Sequence, residues 1–232
     1  MGSKDLLGDA GLRGAAYVNR MLRLNKGSGD FLNNIDDLSI ATGFKKNKSP
    51  ISIVSSTAKV NPGYKTGSAE YRNNCFSAVS ADLLNRAGMG SGLDVVARPA
   101  TASEIKSGGM SFNKLLDNWS GASIDDIIVG KANLGNAKES LANSIVSKCD
   151  GKDGFGIIRV SKNGNSAIGH YIKWEVTDGK CVFSDSLSGT IEGADKYFNA
   201  MGGQISRSVE FSRVDGLALN PFTIKDIVAA RN

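Results

Sequence analysis

The fold is organised around residues 71–79, whose sequence is YRNNCFSAV. A helix is predicted to begin at Cys75, because apolar residues then recur at helical spacing, at Phe76, Val79, Leu83, Leu84 and Ala87. Asn73 or Asn74 can cap the start of this helix, and Gly88 can close its end. The pattern therefore places a thiol at a helix N-terminus.

A thiol in that position can be a nucleophile. A free cysteine has a pKa of roughly 8.5, and the unpaired N–H groups of a helix N-terminus favour its anion. The same groups, with the amide of Asn73 or Asn74, could stabilise an oxyanion. The alternative is a small packing residue, since free cysteines pack well in cores. From sequence position alone, packing is the commoner role of a residue such as Cys75.

His170 is the single histidine of the chain and lies in a predicted strand at residues 169–176. Strand alternation places His170 on one face with Ile172, Trp174 and Val176, and it places Tyr171, Lys173 and Glu175 on the other. The imidazole therefore belongs to the apolar face. That position suits a general base, and it also suits a histidine buried in a core.

A hairpin is predicted at Asp178-Gly179, which is a strong two-residue turn signal. It joins the strand at residues 169–176 to a second strand at residues 180–185. With these two residues as the whole loop, every cross-strand pair of the hairpin is determined.

That register places His170 opposite Leu187 and Ile172 opposite Asp185. Asp185 then becomes the diagonal neighbour of His170, at about 7–8 Å between backbones, which two side chains can bridge. Asp185 could accept the Nδ1–H of His170 and hold the imidazole toward Cys75, as the third member of a catalytic triad does. A register slip of one residue would remove this arrangement.

The remaining elements follow from periodicity and turn signals. Helices are predicted at residues 4–24, 31–40, 111–119, 137–149 and 194–201 and within the tail 221–231, and strands at 51–54, 93–97, 155–160 and 205–214. A short apolar segment lies at residues 124–129, residues 44–50 form a linker, and the polar segment up to Gly67 is a loop around a turn at residues 61–64.

Composition excludes several classes of protein. Apolar residues make up 41% and charged residues 22% of the 232 residues, as in a soluble globular protein, and the net charge is +5. The longest basic patch, residues 45–48, is shorter than nucleic-acid binding usually needs, so no nucleic-acid partner is expected, and a nucleic-acid-binding module suggested by the charge is the weakest alternative. No run has the length of a membrane span, so no stable membrane insertion is expected, and the N-terminus lacks the apolar core of a signal peptide.

The other cysteines and the acidic residues carry no metal or cofactor pattern. Three cysteines cannot all pair, and no CxxC spacing occurs, which argues against a disulfide scaffold or a zinc site. Cys149 and Cys181 fall on apolar faces and are expected to be packing residues. The aspartates at positions 82, 94, 125 and 126 have no spacing typical of a metal site, and the glycine-rich segment 88–92 follows a helix, the wrong side for a phosphate cradle. We expect no cofactor and no metal.

Several segments together resemble a known family. They are residues 60–64 (VNPGY), 70–75 (EYRNNC), 93–99 (LDVVARP), 169–171 (GHY), 182–185 (VFSD) and 213–217 (RVDGL). Their order and spacing are similar to those of the papain-fold toxin domain of bacterial polymorphic toxins and phage minor head protein tails. The resemblance covers about residues 51–232, which we expect to form one catalytic domain, and leaves residues 1–45 as a small helical extension.

The resemblance implies an α+β, papain-like cysteine hydrolase fold, with the catalytic helix packed on an antiparallel sheet. It implies a triad of Cys75 as nucleophile, His170 as general base and acid, and Asp185 as the residue that orients the imidazole. Papain-like enzymes often complete the oxyanion hole with an asparagine or glutamine side chain, and Asn73 and Asn74 are both candidates. The chain departs from the family at Ala78, where a second cysteine is common, and at Ser186 and Leu187, where proline and glutamine are common.

The implied activity is hydrolysis of protein amide bonds, either as a protease or as a glutamine deamidase, with acyl transfer to another amine as a variant. The implied setting is a bacterial toxin or effector, secreted or injected without a classical signal peptide and acting in the cytoplasm. Its partners would be a host or target-cell protein substrate and an immunity protein or chaperone. The alternative, favoured by the departures after Asp185, is a non-enzymatic phage- or effector-associated interaction domain with a vestigial site.

Overall fold

The structure is a computed structural model that describes residues 60–87, 95–130, 136–162 and 165–230. The predicted helical extension (residues 1–45), the linker at 44–50 and the strand at 51–54 lie outside the described residues.

The described ranges form a mixed α+β architecture. The helices are α1 (Ala69–Arg72), α2 (Cys75–Ala87), α3 (Ala102–Ser107), α4 (Phe112–Leu116), α5 (Ala137–Lys148), α6 (Ile191–Met201) and α7 (Pro221–Ile227), with 3₁₀ turns at Pro62–Thr66 and Gly202–Gln204. The strands are β1 (Val95–Ala97), β2 (Trp119–Ser120), β3 (Asp125–Ile128), β4 (Gly154–Lys162), β5 (Asn165–Thr177), β6 (Lys180–Ser184), β7 (Ser208–Arg213), β8 (Ala218–Leu219) and β9 (Val228–Ala230). No helix within these ranges is long and apolar enough to cross a bilayer.

Five strands form one antiparallel sheet in the order β3-β7-β4-β5-β6. The predicted hairpin is confirmed: Thr177 pairs with Lys180, and Asp178 and Gly179 have φ of 49° and 72°, as a two-residue loop with two left-handed residues requires. This hairpin fixes which side chains of β5 share a face.

The β5–β6 ladder is shorter than predicted. It ends at the pair Lys173–Ser184, so the expected pairs Ile172–Asp185 and His170–Leu187 do not form as ladder pairs. The chain reverses at Asp185, whose backbone instead bridges to Thr190. The local turn after Ser184 therefore replaces the last part of the predicted strand.

Helices cover both faces of the sheet. One apolar cluster joins α2 to the sheet through Phe76, Leu83, Ile157 and Tyr171. A second cluster joins α5 and α6 to the opposite face through Leu141, Ile145, Phe198, Ile172 and Trp174. Since neighbouring residues of β5 belong to different clusters, this strand lies between the two layers.

The face of β5 opposite His170, which carries Tyr171, Lys173 and Glu175, is also buried. Tyr171, Lys173 and Glu175 are 2%, 1% and 6% exposed. The charges are tolerated because α2 supplies Asp82 opposite Lys173 and Arg86 opposite Glu175. Alternation predicted the two faces correctly, and the burial of the charged face depends on partners from α2.

Two segments, one near each end of the described chain, contain elements that the sequence did not predict. The short helix predicted within the tail 221–231 is confirmed as α7, but the strand β9, which follows it and pairs antiparallel with β1, was not predicted. The segment up to Gly67 contains the 3₁₀ turn rather than an open loop, and α1 follows it.

Candidate active site

Helix α2 presents Cys75 at its first position. The first α-helical hydrogen bond runs from the Ala78 N–H to the Asn74 carbonyl, at 2.9 Å. The N–H groups of the first turn therefore have no intrahelical partner and point toward the thiol end of the helix. Cys75 is half-buried and packs against the apolar cluster beneath α2. The sequence predicted this helix start correctly.

A pair of asparagines anchors that helix start. The side-chain amides of Asn61 and Asn74 bond reciprocally, at 3.1 and 3.2 Å, and Asn74 is fully buried. Asn74 also donates to the Arg98 carbonyl at 2.8 Å, and Asn61 donates to the Leu187 carbonyl at 3.0 Å. The pair thus joins the N-terminus of α2 to the loop that follows Asp185.

These bonds change the prediction for the oxyanion site. Both amide hydrogens of Asn74 are donated within the protein, so its side chain has no hydrogen left for a substrate oxygen. Asn73 is exposed and donates one amide hydrogen to the Ala69 carbonyl at 2.8 Å, which leaves it the second one. Of the two asparagine side chains, Asn73 is the one that stays a candidate.

His170 and Asp185 are in direct contact. His170 Nε2 lies 2.9 Å from Asp185 Oδ1, and both residues are buried. An ionised carboxylate only accepts hydrogen bonds, so Nε2 carries the hydrogen that it donates. The sequence predicted this partnership but assigned it to Nδ1. The observed contact leaves Nδ1 as the ring nitrogen for the thiol.

Cys75 and His170 are hydrogen-bonded, and each shifts the pKa of the other. Burial raises the pKa of the Cys75 thiol, but the hydrogen bond and positive charge of His170, with the Tyr171 backbone N–H, outweigh burial and leave that pKa below its usual value. Burial lowers the pKa of His170, but its hydrogen bonds to Asp185 and Cys75 and their negative charges raise it to about 10. His170 is therefore protonated at neutral pH, and its charge favours the thiolate form of Cys75, so the two groups titrate together.

The carboxylate of Asp185 is held by its own turn. It accepts from the backbone N–H groups of Leu187 at 3.0 Å and Ser188 at 3.2 Å, and from the Ser188 hydroxyl at 2.5 Å. Burial raises the pKa of Asp185, but His170 and these donors outweigh it, so the pKa lies below its usual value. Asp185 is therefore ionised over the neutral range and supports the charged form of His170.

Tyr197 of α6 covers the imidazole. The rings of Tyr197 and His170 lie 4.6 Å apart between centroids, tilted by 39°, and the Tyr197 hydroxyl donates to the Val160 carbonyl at 3.3 Å. Burial, with the negative charge of Cys75, raises the pKa of Tyr197 to about 12, so it stays neutral. The ring shields part of the His170 site from water.

The other two cysteines are not suited to nucleophilic chemistry. Cys149 is fully buried. Burial, and next the charge of Cys149, raises the pKa of Cys181 to about 12. Within the described ranges, no cluster of three or more histidine, cysteine or acidic side chains could hold a metal ion.

Three residues of the site were not predicted from the sequence: Asn61, Ser188 and Tyr197. Ser188 had a local signal, because a serine three residues after an aspartate often closes a turn onto it. Asn61 was assigned only to a turn, and Tyr197 only to a helix. Their roles depend on contacts across 13 and 27 residues of sequence, to Asn74 and His170, which no local pattern reveals.

Comparisons of the chain with protein-family models, curated proteins and solved structures gave no match in any of the three. The arrangement of Cys75, His170 and Asp185 is therefore the main observation from which a function can be argued.

Proposed function

We propose that the chain is a cysteine hydrolase that acts on amide bonds of proteins, with Cys75 as nucleophile, His170 as general acid and base, and Asp185 as its orienting carboxylate. One observation carries the proposal: the imidazole of His170 lies between the Asp185 carboxylate, at 2.9 Å, and the thiol at the start of α2. A buried histidine serving only the core needs neither a carboxylate nor a thiol.

The first half of the reaction forms an acyl-enzyme. The Cys75 thiolate adds to the substrate carbonyl carbon, and the oxygen takes up the negative charge. The backbone N–H of Cys75 is the first donor for that oxygen, and the Asn73 amide is the proposed second one. As the tetrahedral intermediate collapses, the Nδ1–H of His170 protonates the leaving nitrogen, the C–N bond breaks and a thioester remains.

The second half of the reaction releases the acyl group. His170 is now neutral and accepts a proton from a water molecule at Nδ1 as the water attacks the thioester. The C–S bond breaks, the product leaves as a carboxylic acid that loses its proton to water, and the thiolate–imidazolium pair is restored. Asp185 holds the same ring orientation in both halves, because its hydrogen bond to Nε2 lies on the side away from the reaction.

The leaving group, and the nucleophile that ends the reaction, distinguish three possible activities. If it is the amine of a peptide bond, the chain is a protease; if it is ammonia from a glutamine side chain, the chain is a deamidase. An amine that replaces water in the second half makes it an acyl transferase. The chemistry of Cys75 and His170 is the same in all three.

The wider setting is part of the proposal. The nucleophile helix packs on an antiparallel sheet that carries the histidine, which supports a papain-like fold. Together with the sequence resemblance, this supports a bacterial toxin or effector whose substrate is a protein of the target cell.

Proteomics of target cells tests the function. Cells that express the wild-type chain are compared with cells that express Cys75→Ala, and Cys181→Ala serves as the matched control because it removes a thiol away from the triad. New peptide termini that depend on Cys75 indicate a protease, and gains of about one dalton on glutamines indicate a deamidase. The absence of any difference between wild type and Cys75→Ala would contradict the proposal.

A further inference from the structure

A second polar cluster lies beneath the candidate site, with no part in the proposed chemistry. Asp82 Oδ2 lies 2.9 Å from Lys173 Nζ and accepts a hydrogen bond of 2.8 Å from the Ser186 hydroxyl. Asp82 and Ser186 are fully buried, and Lys173 is 1% exposed. A charged pair at this depth is unusual, because both ions lose their hydration.

Each member of this cluster belongs to an element that carries one residue of the triad. Asp82 lies two turns after Cys75 on α2, and Lys173 lies three residues after His170 on β5. Ser186 directly follows Asp185 in the turn that holds the carboxylate. The three side chains thus join the three triad-bearing segments at one carboxylate oxygen.

The spacing shows how α2 and β5 run along each other. Arg86 follows Asp82 by one helical turn, and its guanidinium contacts Glu175 Oε1 at 2.9 Å, two residues after Lys173. Four helical residues advance about 6 Å and two strand residues advance about 6.6 Å, so both ion pairs fit one register. A slip of α2 by one residue would leave Lys173 buried without its partner.

We propose that Asp82, Lys173 and Ser186 are positioning residues, which fix α2 and the Asp185 turn against β5 so that thiol, imidazole and carboxylate meet. The inference rests on the proposed function, since it assigns this role to the same site. Removing the Ser186 hydroxyl removes one of the links between the turn and α2, leaving the Asn61–Asn74 pair, and does not touch Cys75, His170 or Asp185. Asp185 then orients the imidazole less well, and the thiolate loses part of its stabilisation.

The Arg86–Glu175 pair is the matched control. It joins the same helix to the same strand, and its side chains are 12% and 7% exposed, but it does not contact the Asp185 turn. A change that merely weakens the packing of α2 on β5 affects both clusters alike. A positioning role belongs to the Asp82 cluster alone.

The experiment measures the alkylation of Cys75 by iodoacetamide between pH 5 and 9, peptide by peptide, together with urea unfolding of each variant. In Ser186→Ala we expect the midpoint of the Cys75 alkylation profile to rise by about one pH unit, which slows alkylation up to about tenfold at pH values below the wild-type midpoint. In Glu175→Gln we expect a lower urea midpoint and the alkylation profile of the wild type. The double variant Asp82→Asn with Lys173→Gln removes both charges together and should behave like Ser186→Ala.

The inference is overturned if the pH profile of Cys75 alkylation is the same in Ser186→Ala and in Glu175→Gln. This holds whether both profiles are shifted or both match the wild type. If Ser186→Ala does not fold, the double variant decides by the same comparison. A wild-type Cys75 that alkylates only above about pH 8.5, like a free thiol, contradicts the proposed hydrolase and this inference with it. A low wild-type pKa that persists in both cluster variants overturns the positioning role alone.

Discussion

His170 Nε2 and Asp185 Oδ1 lie 2.9 Å apart, although the β5–β6 ladder ends at Lys173 and Ser184, before it reaches either residue. The contact is therefore made by a turn and not by cross-strand pairing. The hydrogen bonds of the turn after Ser184 place the carboxylate, and changes in that turn should affect the chemistry at Cys75.

Ser188→Ala removes the shortest hydrogen bond to Asp185, which runs from the hydroxyl to Oδ2 at 2.5 Å. We expect the free energy of unfolding to fall by about 1.5–3 kcal/mol, as for other hydrogen bonds to charged groups. The pKa of Asp185 should rise, because one of the donors that lower it is lost. Urea unfolding and alkylation of Cys75 at pH 5 check both expectations; a variant equal to the wild type in both would show that the hydroxyl is dispensable.

Gly193→Ala should impair the site, although alanine normally stabilises a helix by about 1 kcal/mol over glycine. A Cβ at position 193 would lie 2.1 Å from Ser188 Oγ and 2.9 Å from Asp185 Oδ2, so the turn has to move. We expect slower alkylation of Cys75 at pH 6 and no gain in stability. Adding Ser188→Ala to Gly193→Ala removes the closest clash and should restore part of the stability. If Gly193→Ala alone is more stable than the wild type, this account is contradicted.

Two substitutions at Tyr197 separate its ring from its hydroxyl. Tyr197→Phe keeps the ring 4.6 Å from His170 and loses only the 3.3 Å bond to Val160, so alkylation of Cys75 should stay within about twofold of the wild type. Tyr197→Ala removes the ring, and a ring contact is worth about 0.5–1.5 kcal/mol, so alkylation should slow by about two- to tenfold. Equal effects of the two substitutions would assign the role to the hydroxyl instead.

The stabilising effect of Asp185 should depend on pH. The pKa of His170 rises from 6.5 to about 10 on folding, so its contribution is complete below 6.5 and is lost as the pH rises toward 10. The pKa of Asp185 falls from 3.8, so its contribution is present above that value and is lost in acid. Asp185→Asn should therefore reduce the free energy of unfolding most between pH 4 and 6.5, by about 3 kcal/mol.

Urea unfolding at pH 6 and pH 10 checks this expectation. The difference between wild type and Asp185→Asn should shrink at the higher pH. A difference of the same size at both values would mean that Asp185 stabilises the fold without the imidazolium.

Much of the framework could be predicted from local signals. The apolar stripe after Cys75 gave the helix, and Asp178-Gly179 gave the hairpin and its register, because periodicity and turn chemistry act over a few residues. Extending that register predicted the partnership of His170 with Asp185, although the turn after Ser184 makes the contact. In each of these features the residues that interact are close to one another in the sequence.

Other features depended on contacts that the sequence does not display. The burial of Lys173 is tolerable because Asp82, on a helix far away in sequence, pairs with its charge. Residues 228–230 continue as a strand because Val95–Ala97 offers an edge to pair with. The choice between Nδ1 and Nε2 of His170 depends on how the turn at Asp185 bends, which no pattern of residue types determines.

The central claim, a thiolate–imidazolium pair, can be measured directly because the chain has a single histidine. In protein prepared without a histidine tag, NMR of the labelled imidazole gives the titration of His170 without ambiguity. In the wild type we predict a midpoint far above 6.5 and near 10, and in Cys75→Ala a clearly lower midpoint, because the negative charge and hydrogen bond of the thiolate are gone. A midpoint near 6.5 in the wild type, or one that Cys75→Ala leaves unchanged, would contradict the account.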